Sequence, residues 1–280
     1  MYTTHYNMEP YVPYNRKNKA FKESDIHKVL RTHGLPGYRI QGTKIYQQAM
    51  VHSTYVRRSE YTTPDGECAQ LAPCPPGVMN LFDDSYECLE FEGDSVLGVC
   101  VATYLRQRYP EKKEGFLTDL RKELVNNQRL GELSLKIGLP EFYVISRHNE
   151  ESPTIHGRTN TKKLGDILEA FIGALWTDCG NRFDIVFTFV RTFIERYVDI
   201  PKVLQTTTNW KDVFQKHCQK TEKFTPVYTL LSHENSILRV AVVDPRTNTH
   251  LGYGEGTTKK EAEQNACREA LNSERIHVHV

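Results

Sequence analysis

Residues 87–101 read ECLEFEGDSVLGVCV, an apolar run without proline that carries acidic side chains at positions 87, 90 and 94. Steps of three and four residues return to one side of a helix, so the run predicts a helix on which Glu87, Glu90 and Asp94 share a face. Like charges in that arrangement repel by roughly a few tenths of a kcal/mol per pair. The run therefore indicates either a bound cation or a solvated acidic face.

A second acidic helix is predicted far downstream. Residues 162–176, KKLGDILEAFIGALW, place Asp166 and Glu169 three positions apart in an apolar run long enough for a buried helix. Burying four carboxylates without partners is costly, whereas a hard divalent ion binds carboxylate oxygens and keeps some of its waters. The two helices together predict a Mg²⁺ site, for which Mn²⁺ could substitute, with the ligands Glu90, Asp94, Asp166 and Glu169.

Both acidic stretches resemble the signatures of the ribonuclease III family, the double-stranded RNA endonucleases. The first signature is close to E-R-L-E-F-L-G-D and reads ECLEFEGD over 87–94, and the second is close to D-x-x-E-A-x-I-G-A and reads DILEAFIGA over 166–174. Residues 46–56 are similar to the family's L-x-x-A-L-T-H-x-S-Y segment, with His52 interpreted as a packed histidine. Glu92 departs from the pattern, which has an apolar residue there.

The C-terminal part follows a different pattern. A helical stretch at 209–220 precedes three β-rich runs, VYTLLS, ILRVAVVD and THLGYGEG, and a helix at 258–273. This α-β-β-β-α order resembles a double-stranded RNA-binding domain, as does the ending GYGEGTTKKEAEQNACREAL. Lys259 and Lys260 open the last helix, where free N–H groups favour phosphate, and Lys211 and Gln215 on the first helix are expected to face a minor groove. The turn at 232–236, SHENS, lacks the family's Gly-Pro-x-His.

We therefore predict an all-α endonuclease domain followed by a small α+β double-stranded RNA-binding domain. In the nuclease part, the patterns predict helices over Glu23–Leu35, with Ser24 as N-cap, and over Lys44–Val56, and they end the first acidic helix at Arg108, before Pro110. The predicted boundaries are a flexible leader at 1–20, a nuclease domain at 21–200 with an irregular insertion loop at 59–83, a linker at 201–208, the RNA-binding domain at 209–274 and a tail at 275–280.

Composition is that of an ordinary globular protein of 280 residues, 39% hydrophobic and 25% charged, with a formal net charge of +1. Basic residues concentrate at 15–60, where ten Lys or Arg face three Asp or Glu. The seven Cys are an odd number and lack the spacing of a zinc site, so they indicate neither a disulfide framework nor structural zinc. This favours the reducing interior of a cell. With no signal peptide and no long apolar run, we expect a soluble cytoplasmic protein with no membrane partner, in a cell or in a virus-infected cell.

The resemblance implies Mg²⁺-dependent hydrolysis of double-stranded RNA to 5′-phosphate and 3′-hydroxyl ends, with Asp94 and Glu169 as catalytic residues. One nuclease domain per chain implies a two-fold homodimer in which each active site cuts one strand, with Glu87 and Phe91 at the interface. Two alternatives stay open. In the first, the chain sequesters duplex RNA without cutting it. In the second, the protein is an acidic all-helical hydrolase that acts on a small phosphorylated molecule, which leaves residues 209–273 unexplained.

Overall fold

A computed structural model describes residues 10–62, 68–207, 210–234 and 236–273. The chain divides into two compact units, Met1–Val203 and Leu204–Val280. Within the described residues, no helix combines the length and the apolarity needed to cross a membrane.

In the residues described for it, the first unit is helical apart from one pair of two-residue strands, β1 (Tyr61–Thr62) and β2 (Cys68–Ala69). Its α-helices are α1 (Glu23–Thr32), α2 (Thr43–Gln48), α3 (Glu87–Arg108), α4 (Glu114–Leu124), α5 (Asn127–Ile137), α6 (Arg147–Glu151), α7 (Thr161–Asp178) and α8 (Phe183–Tyr197). The next helix, α9 (Ile200–Thr207), spans the boundary between the two units. The predicted all-α nuclease domain is thus confirmed.

Helix α7 forms the centre of this unit. Every residue from Leu164 to Leu175 is buried, so the helix is surrounded by other elements rather than amphipathic. The side chain of Asn160 accepts a hydrogen bond from the Lys163 N–H and caps the N-terminus. Helix α3 packs directly against α7, and it ends at Arg108 as predicted.

Two predicted helices are shorter than expected. The helix predicted over Lys44–Val56 stops at Gln48, because Val51 forms a β-bridge with Val144 and the His52 N–H donates to the Val144 carbonyl. A short 3₁₀ turn follows at Ser53–Tyr55.

The first helix likewise ends at Thr32, ahead of the predicted Leu35. Gly34 takes the left-handed conformation, with φ of +90°, and thereby turns the chain. The predicted cap at Ser24 is also wrong. Lys22 occupies the N-cap position, and its N–H donates to the Asp25 carboxylate.

The predicted flexible leader is docked over residues 10–20. Asn15 is only 4% exposed, and its side-chain amide donates to the Ile145 carbonyl and to Glu150. The Asn18 side-chain amide also donates to Ile145, while Arg158 binds both Asn18 and Glu150. The contacts of Asn15 and Asn18 join residues about 130 positions apart in the sequence, so a local pattern cannot reveal them. Residues 1–9 lie outside the described part.

The segment predicted as an irregular insertion at 59–83 is held against the core of the first unit. The Tyr11 N–H donates to the Gln70 carbonyl, and the Tyr55 hydroxyl donates to the Met79 carbonyl. Apolar side chains from this segment and its surroundings form one cluster, whose buried members are Tyr14, Val51, Tyr55, Leu81 and Val144. Residues 63–67 of the segment lie outside the described part. The predicted linker, 201–208, is helical through Thr207 as part of α9.

The second unit has the predicted α-β-β-β-α order. It comprises α10 (Trp210–His217), β3 (Val227–Glu234), β4 (Ile237–Asp244), β5 (Thr249–Gly256) and α11 (Lys259–Asn272), with a π-helical turn over Cys218–Glu222 after α10. The strands form an antiparallel sheet in the order β3-β4-β5. A Cβ at Gly252 or Gly254 would overlap the backbone of α11, so these glycines let the helix lie against the sheet.

Candidate metal centre

Three of the four predicted metal ligands meet in the structure. Glu90 comes from α3, and Asp166 and Glu169 come from α7. One oxygen from each carboxyl group lies within 4.8 Å of one from each of the others. Residues more than seventy positions apart in the sequence therefore meet in one acidic cluster.

Glycines set the close approach of the two helices. A Cβ added to Gly93 would overlap the Glu169 carbonyl oxygen, and one added to Gly173 would overlap the carbonyl oxygen of Leu89. Each helix therefore presents hydrogen in place of a side chain at the crossing point. The carboxylate of Glu90 lies one turn from Gly93, so this contact brings it within reach of α7.

Burial and mutual repulsion make the cluster electrostatically unfavourable without a cation. Burial, followed by the charges of Asp94, Glu90 and Asp166, raises the pKa of Glu169 to about 8. The pKa of Glu90 is also raised, by burial first and then by Asp166. No hydrogen bond from the described residues reaches the Glu169 carboxylate. A positive ion at this position would relieve the repulsion.

Asp94 lies beside the cluster. It is exposed, and none of its oxygens is within the 4.8 Å grouping, although its charge acts on Glu169 more strongly than those of Glu90 and Asp166. Its role as a fourth ligand stays a prediction.

Two residues assigned to a dimer interface lie on the exposed side of α3. Glu87 is exposed, and its carboxylate accepts a hydrogen bond from the Ser85 hydroxyl. Phe91 is 80% exposed, an unusual position for a phenylalanine in a helix of the core.

Two further groups at the centre were not singled out from the sequence. The Tyr86 hydroxyl donates to Oδ2 of Asp166 at 3.1 Å, and Lys163 Nζ lies 3.0 Å from the same oxygen. Tyr86 precedes Glu90 by four residues and Lys163 precedes Asp166 by three. Residues at these spacings are neighbours on a helix, and this is the sequence signal that places both residues beside the predicted ligands. His52 lies nearby, with its ring 6.0 Å from that of Tyr86, and burial and then Lys163 lower its pKa.

The donor set fits a hard divalent cation. All of the clustered groups are carboxylates, the ligands that Mg²⁺ and Mn²⁺ prefer, and neither Cys nor His joins them among the described residues. Asp166 and Glu169 are buried, so their charges are poorly screened by water. The arrangement suits a metal that acts on an anionic substrate.

In the second unit, the predicted RNA-contacting residues differ in accessibility. Lys259 and Lys260 are exposed in the first turn of α11, where Thr258 provides the N-cap. Lys211 instead forms an ion pair with Glu263 at 2.6 Å and lies over the ring of Tyr228, and Gln215 is half-buried. His233, in the turn sequence that departs from the family, is exposed within β3 and pairs with Leu238.

Comparison with known proteins identifies both units. The family described as Ribonuclease III domain matches residues 87–180, and the family described as Double-stranded RNA binding motif matches residues 210–274. The first match begins at the acidic helix α3 and extends to the end of α7, so it spans the whole carboxylate cluster.

Similar proteins include bacterial and viral relatives. Ribonuclease 3 of Listeria welshimeri is 31% identical over 241 residues, which cover 84% of this chain and 93% of the relative. "Probable ribonuclease 3" of Acanthamoeba polyphaga mimivirus is 29% identical over 93% of this chain, but the matched part spans only 47% of that longer protein. The crystallised nuclease domain of ribonuclease III from Campylobacter jejuni is 23% identical with a TM-score of 0.46, over 63% of this chain and 96% of that domain.

Proposed function

The chain belongs to the ribonuclease III family, and we propose that it is an endonuclease that hydrolyses phosphodiester bonds of double-stranded RNA with Mg²⁺. The products are expected to carry 5′-phosphate and 3′-hydroxyl ends. The observation that carries this proposal is the convergence of Glu90, Asp166 and Glu169, because two of these carboxyl groups are buried and a bound cation would offset the repulsion among all three. The duplex-binding motif that follows in the same chain supplies the substrate class.

Glu90, Asp94, Asp166 and Glu169 would hold the metal, with Mn²⁺ able to replace Mg²⁺. A divalent cation held there would lower the pKa of a water molecule bound to it and would stabilise negative charge on the leaving oxygen. The protein fixes the positions of the ligands through the glycine contacts of α3 and α7. Asp94 and Glu169 are proposed as the catalytic residues, as the resemblance to the family implies.

The second unit is proposed to bind the duplex through its phosphates. Lys259 and Lys260 are exposed beside the free N–H groups of the α11 N-terminus, an arrangement that attracts anions. Gln215 on α10 would face the minor groove. Lys211 could join it only by giving up its ion pair with Glu263, so we expect its contribution to be the smaller one.

We further propose a two-fold homodimer in which each active site cuts one strand. Phe91 supports this proposal. Its side chain is 80% exposed on a helix of the core, and covering it with a partner would remove apolar surface from water, which is favourable. Glu87, four residues earlier on α3, would lie at the same interface. We place the reaction in a reducing, cytoplasmic compartment, in line with seven cysteines that are all free.

The decisive experiment is cleavage of a long, end-labelled perfect RNA duplex in Mg²⁺ and in EDTA. The wild-type protein should cut in Mg²⁺ only. Glu169→Gln should bind the duplex equally well and cut it at least about a hundredfold more slowly, since removing a charged group at a metal centre typically costs this much or more. Glu111→Gln, which changes an exposed glutamate on the loop after α3, is the matched control. Undiminished cutting by Glu169→Gln would overturn the proposal, and binding without cutting by the wild type would favour sequestration.

A further inference from the structure

We propose that Tyr86 and Lys163 are positioning residues that fix Asp166 as a metal ligand by binding one of its two carboxylate oxygens. This inference rests on the proposed function, because it concerns the metal centre of the same reaction. It adds two residues that lie outside the acidic signatures.

The three side chains form a closed triangle of hydrogen bonds. Tyr86 OH lies 3.1 Å from Oδ2 of Asp166, Lys163 Nζ lies 3.0 Å from the same oxygen, and Lys163 Nζ lies 3.1 Å from Tyr86 OH. Lys163 therefore donates to the Tyr86 hydroxyl oxygen and to Oδ2 of Asp166, and the Tyr86 hydroxyl donates to the same Oδ2. Among the described residues, no donor contacts Oδ1, which keeps its lone pairs for a cation.

The triangle is held rigidly. Tyr86 is a fully buried side chain that forms the N-cap position of α3, and the Asp166 side chain is only 4% exposed within α7. The triangle thus joins the start of one acid-bearing helix to the other. A carboxylate that accepts two hydrogen bonds on one oxygen cannot rotate freely, so its second oxygen keeps a fixed direction.

A simple surface ion pair does not account for Lys163. The helix dipole disfavours a lysine in the first turn of a helix, and the positive charge of Lys162 lies directly beside Lys163. Isolated exposed pairs offset little of this. Here the acceptor is buried and already bound by a tyrosine, and the lysine side chain is 35% exposed at the edge of the cluster. Its location is explained by the carboxylate that it orients.

The test is the affinity of the RNA-free protein for Mn²⁺, measured by counting unbound Mn²⁺ by electron paramagnetic resonance. Tyr86→Phe removes one hydroxyl and no charge, and it should weaken binding about tenfold, as loss of a partner of a metal ligand commonly does. Lys163→Met removes a charge as well, so it is compared with Lys162→Met, which removes a neighbouring charge that acts on Glu90 but loses no hydrogen bond to Asp166. Relative to that control, Lys163→Met should also weaken binding about tenfold, and Lys163→Arg should recover part of the loss.

The double variant distinguishes a shared role from two separate ones. If both residues orient one oxygen, Tyr86→Phe combined with Lys163→Met should weaken Mn²⁺ binding by less than the product of the single effects. At saturating Mn²⁺, the KM for duplex RNA should stay unchanged. Unaltered Mn²⁺ affinity of Tyr86→Phe would overturn the inference, as would tighter Mn²⁺ binding by Lys163→Met than by Lys162→Met.

A further result would assign Lys163 to another task. A raised KM for RNA with an unchanged Mn²⁺ affinity would mark it as a phosphate contact and would also overturn the inference. The proposed function fails separately: if the Mn²⁺ affinities change as expected while the wild-type protein cuts no duplex, the positioning role stands without the nuclease. If cutting depends on Glu169 but Mn²⁺ affinity ignores Tyr86 and Lys163, only the positioning role is lost.

Discussion

Glu169→Gln should stabilise the metal-free protein at high pH. Burial and the charges of Asp94, Glu90 and Asp166 raise the pKa of the Glu169 carboxyl from 4.5 to about 8. Because the folded state holds this proton more tightly than the unfolded chain, the stabilisation is complete below pH 4.5 and is lost as the pH rises through about 8. Glutamine keeps the shape of the side chain and has no charge to lose.

The size of the effect follows from the same pKa. The difference between 4.5 and about 8 corresponds to about 5 kcal/mol for keeping the ionised carboxylate in the folded protein. This is an upper limit, because Asp94 is exposed and Glu90 is half-buried, so water and side-chain movement relieve part of the repulsion. We expect a gain in unfolding free energy of roughly 2 kcal/mol near pH 9, or about 4–8 °C in the Tm of the first unit.

Differential scanning calorimetry in EDTA at pH 6 and pH 9 measures this gain. At pH 6 the carboxyl is mostly protonated in the folded wild type but mostly ionised in the unfolded chain, so Glu169→Gln should already unfold somewhat later than the wild type, by less than half of the difference expected at pH 9. Glu111→Gln should follow the wild type at both values. Addition of Mn²⁺ should raise the Tm of the wild type and of Glu111→Gln much more than that of Glu169→Gln. Equal Tm values for the wild type and Glu169→Gln at pH 9 would refute the view of Glu169 as a strained carboxylate.

Three further predictions concern other parts of the chain. Gly93→Ala should lower the unfolding free energy by roughly 1–3 kcal/mol or more, because its methyl group would overlap the Glu169 carbonyl. In the same thermal unfolding experiment Gly115→Ala should be neutral or stabilising, because no atom lies within 4 Å of the added methyl group. Phe91→Ala should weaken the dimer by roughly 2 kcal/mol or more in sedimentation equilibrium, whereas Leu135→Ala, exposed on α5, should not, and an unchanged dimer would exclude Phe91 from the interface. Combined Lys259→Ala and Lys260→Ala should weaken duplex binding and reduce the slope of log affinity against log salt concentration by about one per lysine. The exposed Arg268→Ala is the control, and an unaltered slope would show that the phosphates bind at other residues.

The acidic helices could be predicted because their signal is local. Each pattern combines carboxylates at helical spacing with an apolar run that contains no proline, and all of it lies within twenty residues of Glu90 or Glu169. The order of helix and strands in the second unit was equally accessible. In each case the residues that form the element also determine it.

The missed features depend on contacts between distant residues. The helix predicted through Val56 stops because Val51 pairs with Val144, and the leader docks because Asn15 binds Ile145. Tyr86 and Lys163 lie at helical spacing from acidic residues, but neither tyrosine nor lysine is a typical sign of a metal site. Their role becomes visible only when α3 packs against α7. The ion pair between Lys211 and the buried Glu263 likewise joins residues that are far apart in the sequence, and the predicted contact of Lys211 with RNA stays a prediction.

The docked N-terminal segment has a practical consequence for anyone who prepares the nuclease unit alone. Asn15 and Asn18 brace Ile145, Glu150 and Arg158, and that stretch leads directly into the N-cap of α7. A shortened protein that starts at residue 21, the boundary the sequence suggests, would leave Glu150 and Arg158 without these amide partners. Such a truncation should lose metal affinity with every acidic ligand intact, so expression trials are best begun upstream of Tyr11.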